Sequence, residues 1–418
     1  MDISAAARLR SGCRGLESMR RIVLGLLVLA VCGMMVAPMG MAGKPQQPQP
    51  PAEPTGYLEI TSSPQLVLAT GNYVRQYDWV DGAFQHAWSG DGVTKVVIGD
   101  VDNDFTKEVV SGKSISIKMD KKTTITKHYL RIWEDGDASS LPSVDYEIGH
   151  QMGTMAIGNV DDDEYNELVI SCVDAYGSAE VWSVTDDGLS KKATISNLGW
   201  SDLSVADADN DGIAEILMGQ GTGDYYQQPV VADYDVDSGE YSIIPLPMST
   251  NYMMSELTIG DVDGNEGNEI FASGYNYLSL WRYTTDGYEQ IWHKQLTLTD
   301  DTMWCSCTNN GIADIDGDGH NEIAFTDYRI IGTTGRNVAT TKLVIYKYDV
   351  NSISWYQFAS YNNAKGNLGG RMLSIDIDDD DDSELIVCNQ VWDWSGSAML
   401  MIQELPLINN LMGTNSIA

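Results

Sequence analysis

The chain has 418 residues, of which 60 are acidic and 25 are basic, and its formal net charge is −35. This length exceeds one ordinary globular core but suits a closed array of small repeated units. The negative charge argues against nucleic acid and anionic membrane surfaces as partners, because both attract positive protein surfaces, and it favours cations.

The first 42 residues have the features of an export signal. Five arginines precede an uncharged apolar run at residues 22–36, which is short for a membrane span. Small residues at Gly40-Met-Ala42 predict cleavage after Ala42, and a retained N-terminal anchor or a lipid on Cys32 remains the alternative. We therefore expect a secreted or cell-surface protein that meets a membrane only through this segment. A Pro/Gln-rich linker follows at residues 43–55.

From residue 56 to residue 418 the sequence consists of short strand patterns separated by turn residues. The clearest unit has strand patterns at 255–259, 269–273, 277–283 and 288–292, with Asp286-Gly287 as a tight turn. Four antiparallel strands of this kind form one blade of a β-propeller. Counting such units predicts an all-β, seven-bladed propeller. We expect one blade to be shared between the chain ends and completed by residues 57–60 or 405–411.

Six of the seven predicted blades contain an acidic loop with oxygen-bearing side chains at loop positions 1, 3, 5 and 9. The loops begin 48 to 62 residues apart, and the first blade, at residues 56–95, lacks the pattern. The side chains at the four positions are Asp100, Asp102, Asp104 and Glu108; Asn159, Asp161, Asp163 and Glu167; Asp207, Asp209, Asp211 and Glu215; Asp261, Asp263, Asn265 and Glu269; Asp314, Asp316, Asp318 and Glu322; and Asp376, Asp378, Asp380 and Glu384.

This pattern predicts metal ligands. Alternating carboxylates line the inside of a tight turn, and hard oxygen ligands in a flexible loop favour Ca²⁺ over Mg²⁺. The absence of Cys and His at the four positions excludes zinc. The EF-hand differs, because its Glu lies at position 12 between helices. We expect up to six calcium ions with a mainly structural role, and solvated acidic turns are the alternative.

The six loops are not predicted to bind equally well. Position 6 needs a left-handed backbone, and only the loops that begin at Asp207 and Asp314 have glycine there, Gly212 and Gly319. We expect the tightest binding in these two loops and the weakest in the loop that begins at Asn159.

The acidic loops resemble the FG-GAP/VCBS repeats of the integrin α-subunit N-terminal propeller and of many secreted bacterial and archaeal proteins. The resemblance covers residues 56–404. It implies a seven-bladed propeller with calcium in the loop between the first and second strands of a blade, and a role in binding or cell adhesion. No Phe-Gly or Gly-Ala-Pro sequence occurs. The chain is therefore more similar to the simpler secreted VCBS form than to an integrin.

Aromatic residues with a polar atom are abundant, with 21 Tyr and 11 Trp against 5 Phe, which is typical of half-exposed binding positions. Those in loops away from the acidic face predict a surface for a protein or carbohydrate, with blade packing as the alternative. The residues that we single out for this surface are Tyr226, Tyr275, Trp392 and Trp394.

We predict no catalytic residues. The five histidines are scattered, and no nucleophile elbow, HExxH or phosphate-binding loop occurs. A polysaccharide lyase or hydrolase on the open face, using His150, Arg371 and Asp91, is the alternative function. The cysteines Cys172, Cys305, Cys307 and Cys388 are predicted to be small buried side chains.

Overall fold

The computed structural model describes residues 58–405, with gaps at 62–64, 71–72, 92–94, 134–143, 173–176, 186–187, 200–202, 220–227, 249–253, 266, 300, 334–335, 350, 353, 363, 365–371 and 379. The predicted signal, the linker and Tyr226 lie outside these residues. The described residues form strands and turns without a helix, so none of them contributes a helix of the length and apolar character of a membrane span.

The strands form seven four-stranded antiparallel sheets, and each sheet takes four strands that are consecutive in the chain. Blade 1 contains β1 (Leu58–Thr61), β2 (Gln65–Thr70), β3 (Tyr73–Val80) and β4 (Ala83–Asp91). Blade 2 contains β5 (Lys95–Gly99), β6 (Glu108–Lys118), β7 (Thr124–Trp133) and β8 (Val144–Ile148). Blade 3 contains β9 (Met152–Gly158), β10 (Glu167–Cys172), β11 (Ser178–Thr185) and β12 (Gly188–Ile195).

The remaining four blades follow in the same order. Blade 4 contains β13 (Leu203–Ala206), β14 (Glu215–Met218), β15 (Val230–Asp235) and β16 (Glu240–Pro245). Blade 5 contains β17 (Met254–Gly260), β18 (Glu269–Gly274), β19 (Tyr277–Thr284) and β20 (Gly287–Gln295). Blade 6 contains β21 (Thr302–Ala313), β22 (Glu322–Thr333), β23 (Arg336–Asp349) and β24 (Ser354–Asn362). Blade 7 contains β25 (Met372–Ile375), β26 (Glu384–Val387), β27 (Gln390–Trp394) and β28 (Met399–Glu404). The predicted seven-bladed β-propeller is confirmed.

The first strand of each blade lies innermost. These seven strands contact one another in sequence around the ring, and β25 contacts β1, so the ring is closed. The second strands are buried on both faces, as in β10 and β18, because each is covered by the two neighbouring blades. They therefore read as continuous apolar runs, whereas the outer strand β20 alternates between buried or half-buried and exposed residues. Trp133 and Trp281 are buried between blades.

The expectation that the chain ends share one blade was wrong. Strand β1 pairs with β2 inside blade 1, and blade 7 is completed by β28 from its own sequence. Apolar side chains from blades 1, 2 and 7, including Leu66, Ile386 and Leu405, form one buried cluster across the seam. The amide of Gln403 accepts a hydrogen bond from the Phe84 N–H and donates one to the Phe84 carbonyl, both at 2.8 Å. The apolar cluster and the Gln403 side chain therefore close the ring at the seam, where a strand shared between the chain ends was expected.

Two hairpins extend beyond their blades on the face opposite the acidic loops. In blade 2, β6 and β7 pair as far as Lys118 and Thr124, and the outer half of β6 is exposed. In blade 6, β22 and β23 pair as far as Thr333 and Arg336. The lysine-rich segment at 113–127 is therefore a solvated hairpin. The four cysteines of the described residues are buried, as predicted.

We predict that Gln403→Ala lowers the free energy of unfolding by about 1–3 kcal/mol, because it removes two hydrogen bonds across the seam. Chemical denaturation monitored by tryptophan fluorescence measures the change. Gln85→Ala is the matched control, since Gln85 is exposed and its side-chain amide donates to the Val80 carbonyl within the same hairpin. Equal losses in the two variants would contradict a role for Gln403 in closing the ring.

Candidate metal centres

The acidic loops join the first and second strands of blades 2 to 7, which is the place expected for them. We name each loop by its blade: loop 2 is residues 100–108, loop 3 is 159–167, loop 4 is 207–215, loop 5 is 261–269, loop 6 is 314–322 and loop 7 is 376–384. Since strands alternate in direction, all six loops lie on one face of the propeller and the turns between second and third strands lie on the other.

The Glu at position 9 is the most buried carboxylate of every loop. Its exposed fraction is at most 1%, and one carboxylate oxygen accepts the N–H of position 2 at 2.6–3.1 Å in all six loops. The residue at position 2 is apolar and buried, for example Val101 and Ile315. The Glu therefore fixes the start of each loop against the core and leaves a second oxygen facing the loop interior. The six residues are Glu108, Glu167, Glu215, Glu269, Glu322 and Glu384.

The turn itself is held by the carboxylates at positions 1 and 5. In loop 4, Asp207 accepts the N–H groups of positions 5 and 6, and Asp211 accepts the N–H of position 7. Position 6 has the predicted left-handed backbone in loops 2, 4, 6 and 7, whereas in loop 3 Glu164 does not have positive φ. Two of these residues are not glycine: Phe105 has φ 72° and Asp381 has φ 76°.

Neighbouring loops are joined by hydrogen bonds through position 8. The side-chain amides of Asn166, Asn268 and Asn321 each donate to the backbone carbonyl at position 1 of the preceding loop, at 2.7–2.8 Å. The backbone N–H groups of Ala214 and Ser383 make the equivalent bonds at 2.9 and 2.8 Å. The six loops therefore form a continuous chain around one face. These position-8 hydrogen bonds fix the position of each loop relative to the next.

Three loops contain a cation from the chain itself. In loop 6, Lys347 Nζ lies 2.8 Å from Asp316, 2.7 Å from Asp318 and 3.0 Å from Glu322. In loop 3, Lys192 Nζ contacts the three carboxylates at positions 3, 5 and 9 at 2.5–3.1 Å. Burial lowers the pKa of each lysine, but the hydrogen bonds to the three carboxylates outweigh it, and both pKa values are raised.

Loop 5 contains a guanidinium in the same place. Arg282 donates from Nε to Glu269 at 2.8 Å and from a terminal nitrogen to Asp263. Arg282 is directly paired with Glu269 across β18 and β19. Ile323 pairs with Tyr346 in blade 6, so Lys347 occupies the equivalent third-strand position opposite Glu322. Lys192 reaches loop 3 differently, from a β-bulge in the fourth strand β12.

Loops 4 and 7 have a fifth carboxylate at this third-strand position. The pairing of Ile216 with Ala232 places Asp233 opposite Glu215, and that of Leu385 with Trp392 places Asp393 opposite Glu384. Burial, reinforced by the neighbouring carboxylates, raises the pKa of Glu215 and Glu384 to about 8. In loop 7 the buried Oε1 of Glu384 has no hydrogen-bond partner among the residues that the structure describes.

The donors that converge in loop 4 are all oxygens. One carboxylate oxygen from each of Asp207, Asp209, Asp211 and Glu215 lies within 4.8 Å of the others. Such a set fits a hard divalent cation. In loop 2, Asp100, Asp102 and Glu108 converge similarly, and burial raises the pKa of Glu108 to about 7. Strand β7 is described as far as Trp133, which pairs with Val109.

Sequence reasoning located the six loops but missed the residues that face them. These residues lie 9 to 25 positions after the last residue of their loop, at no fixed spacing: Lys192, Arg282, Lys347, Asp233 and Asp393. The register of the third strand, which becomes known only once the pairing is known, brings four of them to the loops. The position-8 contacts had a usable signal, because the dipeptide Asn-Glu recurs at 166–167, 268–269 and 321–322.

The three predicted ligand-binding aromatics that the structure describes do not form one surface. Tyr275 lies in the β18–β19 turn on the face opposite the loops and is 38% exposed. Trp392 is 5% exposed and belongs to the core between blades 6 and 7. Trp394 ends β27 beside Asp393, on the acidic-loop side, with its ring 5.3 Å from that of Phe358. Tyr226 lies outside the described residues.

Tyr275 instead belongs to an aromatic row that sequence reasoning did not assemble. Its ring is 6.4 Å from that of Trp304, which is 5.8 Å from that of Tyr328. Trp304 and Tyr328 lie in the halves of β21 and β22 that are remote from loop 6, and the neighbouring Met303 is 62% exposed. Of the three residues weighed for catalysis, His150 pairs with Glu180 at 2.7 Å. The side chains of Arg371 and Asp91 lie outside the described part.

No family model matches the chain, and no curated protein matches it. Solved structures do match. A protein from Lactobacillus plantarum aligns with a TM-score of 0.54 and 13% identity over 86% of this chain and 96% of its own. A functionally unknown protein from Desulfotomaculum acetoxidans aligns with a TM-score of 0.45 and 11% identity over 73% of this chain and 84% of its own. The first match supports the fold alone, and nothing is inferred from the second, weaker match.

We predict that Phe105→Gly raises the free energy of unfolding by about 1 kcal/mol, because a left-handed backbone is unfavourable for a residue with a Cβ. Phe105 is 96% exposed, so little packing is lost. Thermal and denaturant unfolding measure the change. Tyr165→Gly in loop 3 is the control: Tyr165 is also exposed but is not among the residues with positive φ, and glycine is expected to lower stability there. A loss of stability in both variants would contradict the prediction.

Proposed function

We propose that this protein is a secreted or cell-surface calcium-binding β-propeller of the FG-GAP/VCBS type that acts as a binding or adhesion module for a protein or carbohydrate. The observation that carries the metal proposal is loop 4. There, four loop carboxylates converge and Asp233 adds a fifth, so the folded state holds a cluster of like charges with one buried Glu. A bound divalent cation would neutralise this cluster.

Calcium is the ion that suits these ligands best. The donors are carboxylate oxygens on a short flexible turn, which is the environment that Ca²⁺ accepts and the stricter geometry of Mg²⁺ does not. Asp207, Asp209, Asp211 and Glu215 would hold the ion in loop 4, and Asp376, Asp378, Asp380 and Glu384 in loop 7. The ion would supply charge neutralisation and pin the turn to its blade. Binding to the folded chain alone stabilises it by mass action.

The binding role rests on the face opposite the loops. The row of Tyr275, Trp304 and Tyr328 presents large, partly exposed rings with polar atoms, the kind of side chain enriched at binding surfaces. The acidic loops are occupied with holding their turns. The opposite face, with its longer hairpins, is therefore the better place for a partner.

We predict that calcium raises the melting temperature and that a chelator lowers it. At a free Ca²⁺ concentration of 100 times the dissociation constant, each site adds about 2.7 kcal/mol to the free energy of unfolding. Scanning fluorimetry with and without EDTA, together with calorimetric titration, measures this. An unchanged melting curve and no uptake of Ca²⁺ would refute the metal proposal.

Asp209→Asn gives a sharper result, because its effect should change sign with the ion. Without calcium it relieves repulsion among the loop 4 carboxylates and is expected to raise stability. With calcium it removes a ligand and is expected to lower it. Asp237→Asn, an exposed acid on the β15–β16 turn of the same blade, is the control and should behave alike in both conditions.

For the aromatic face, we predict that Tyr275→Ala weakens a glycan or protein interaction by about tenfold, whereas Tyr356→Ala leaves it unchanged. Tyr356 is 45% exposed on the outer strand β24 and is the matched control. A glycan array followed by titration of any glycan that binds measures the effect. Unchanged binding in both variants would argue against this surface, and turnover of a polysaccharide would favour the enzymatic alternative.

A further inference from the structure

The six loops share one backbone plan but differ in the charge placed at their centre. Lys192, Arg282 and Lys347 supply a positive charge to loops 3, 5 and 6. Asp233 and Asp393 supply a negative charge to loops 4 and 7. In blades 4 to 7 these residues occupy a single position, on the third strand opposite the buried Glu. The residue type at this position therefore decides whether the loop carboxylates are already neutralised or still need a positive charge.

We propose that Lys192, Arg282 and Lys347 are built-in cations that take the place of a metal ion in loops 3, 5 and 6, so that the chain binds no more than three calcium ions. This inference rests on the proposed calcium binding of the remaining loops. It also changes the expectation from sequence that loop 6, with glycine at position 6, is among the tightest binding sites. Lys347 already contacts three of the loop's oxygen ligands.

The contacts explain why a metal does not enter these loops. An ion at the centre of loop 6 would have to displace an ammonium that donates hydrogen bonds to Asp316 and Asp318 and forms an ion pair with Glu322. The displaced Lys347 would lose those charge-assisted contacts and the position of its Nζ over the ring of Phe358, 5.4 Å from the ring centroid. Its side chain is only 12% exposed, so water cannot easily replace the lost partners.

Arg282 is held in loop 5 by a comparable arrangement. Two different nitrogens of its planar guanidinium contact Glu269 and Asp263. The rigid fork of donors therefore holds both carboxylates at once. Position 5 of this loop is Asn265, so the loop has one carboxylate fewer to balance. Loop 3 likewise begins with Asn159, whose side-chain amide donates to the Asp163 carbonyl. Both loops lack a carboxylate that loops 4 and 7 retain.

The inference predicts an uneven response to calcium. Blades 3, 5 and 6 are held by internal ion pairs and should keep their structure in a chelator, whereas blades 4 and 7 should loosen. Hydrogen–deuterium exchange of the wild-type chain with and without EDTA measures this by blade. The first and second strands of blades 4 and 7 should exchange faster in EDTA, and those of blades 3, 5 and 6 should not.

The decisive variant is Lys347→Asp, which gives loop 6 the residue type found at this position in loops 4 and 7. We expect calorimetric titration to show one more Ca²⁺ per chain than for the wild type, and stability that has become dependent on calcium. Lys342→Asp is the matched control, since it makes the same charge change at an exposed position of the same strand β23. It should bind the wild-type number of ions.

The reciprocal variant, Asp393→Lys, tests the inference even if Lys347→Asp fails to fold. It should lose one Ca²⁺ per chain, and loop 7 should become insensitive to EDTA in hydrogen exchange. Binding of four or more ions by the wild type, or the same number for Lys347→Asp and Lys342→Asp, would overturn the inference and leave the proposed function standing. A wild type that binds no Ca²⁺ refutes the proposed function, and the inference then falls too unless Lys347→Asp gains a site.

Discussion

The structure depends on six glutamates that are buried at the ends of their loops. A carboxylate removed from water needs hydrogen bonds or an opposite charge to remain ionised. Each Glu obtains one hydrogen bond from the position 2 N–H, which also draws an apolar residue into the core. That bond leaves a charge to be neutralised. In loops 3, 5 and 6 a lysine or arginine contacts the second oxygen and neutralises the charge. In loops 4 and 7 we propose that a calcium ion does so.

The loops with a fifth carboxylate are not adjacent in the ring, and this order reduces the repulsion between neighbouring loops. Loop 4, with its fifth carboxylate, lies between loops 3 and 5, which both hold an internal cation. Loop 7 lies between loop 6, with Lys347, and blade 1, which has no acidic loop. Position 8 joins adjacent loops by hydrogen bonds, so their charge clusters are held close together. Separating the two most negative clusters by neutralised ones limits the energy that this closeness costs.

Much of this architecture could be read from the sequence, and the missing parts have a common cause. Turn residues and the loop spacing give the blades, as the match of 277–283 with β19 (Tyr277–Thr284) illustrates. The left-handed position 6 follows from Gly212 and Gly319. Whether loop 6 meets Lys347 depends on the pairing of β22 with β23, which a local pattern does not contain. Trp392 was assigned to a surface for the same reason, since its neighbours come from blade 6.

Because each sheet consists of four strands that are consecutive in the chain, every hydrogen-bonded ladder begins and ends within one stretch of sequence. A genetic duplication or deletion whose ends fall between blades would add or remove a complete sheet without unpairing any strand. The packing between blades, the position-8 hydrogen bonds and the contacts of Gln403 at the seam would then need to adjust. The gene can therefore change the number of blades in whole units.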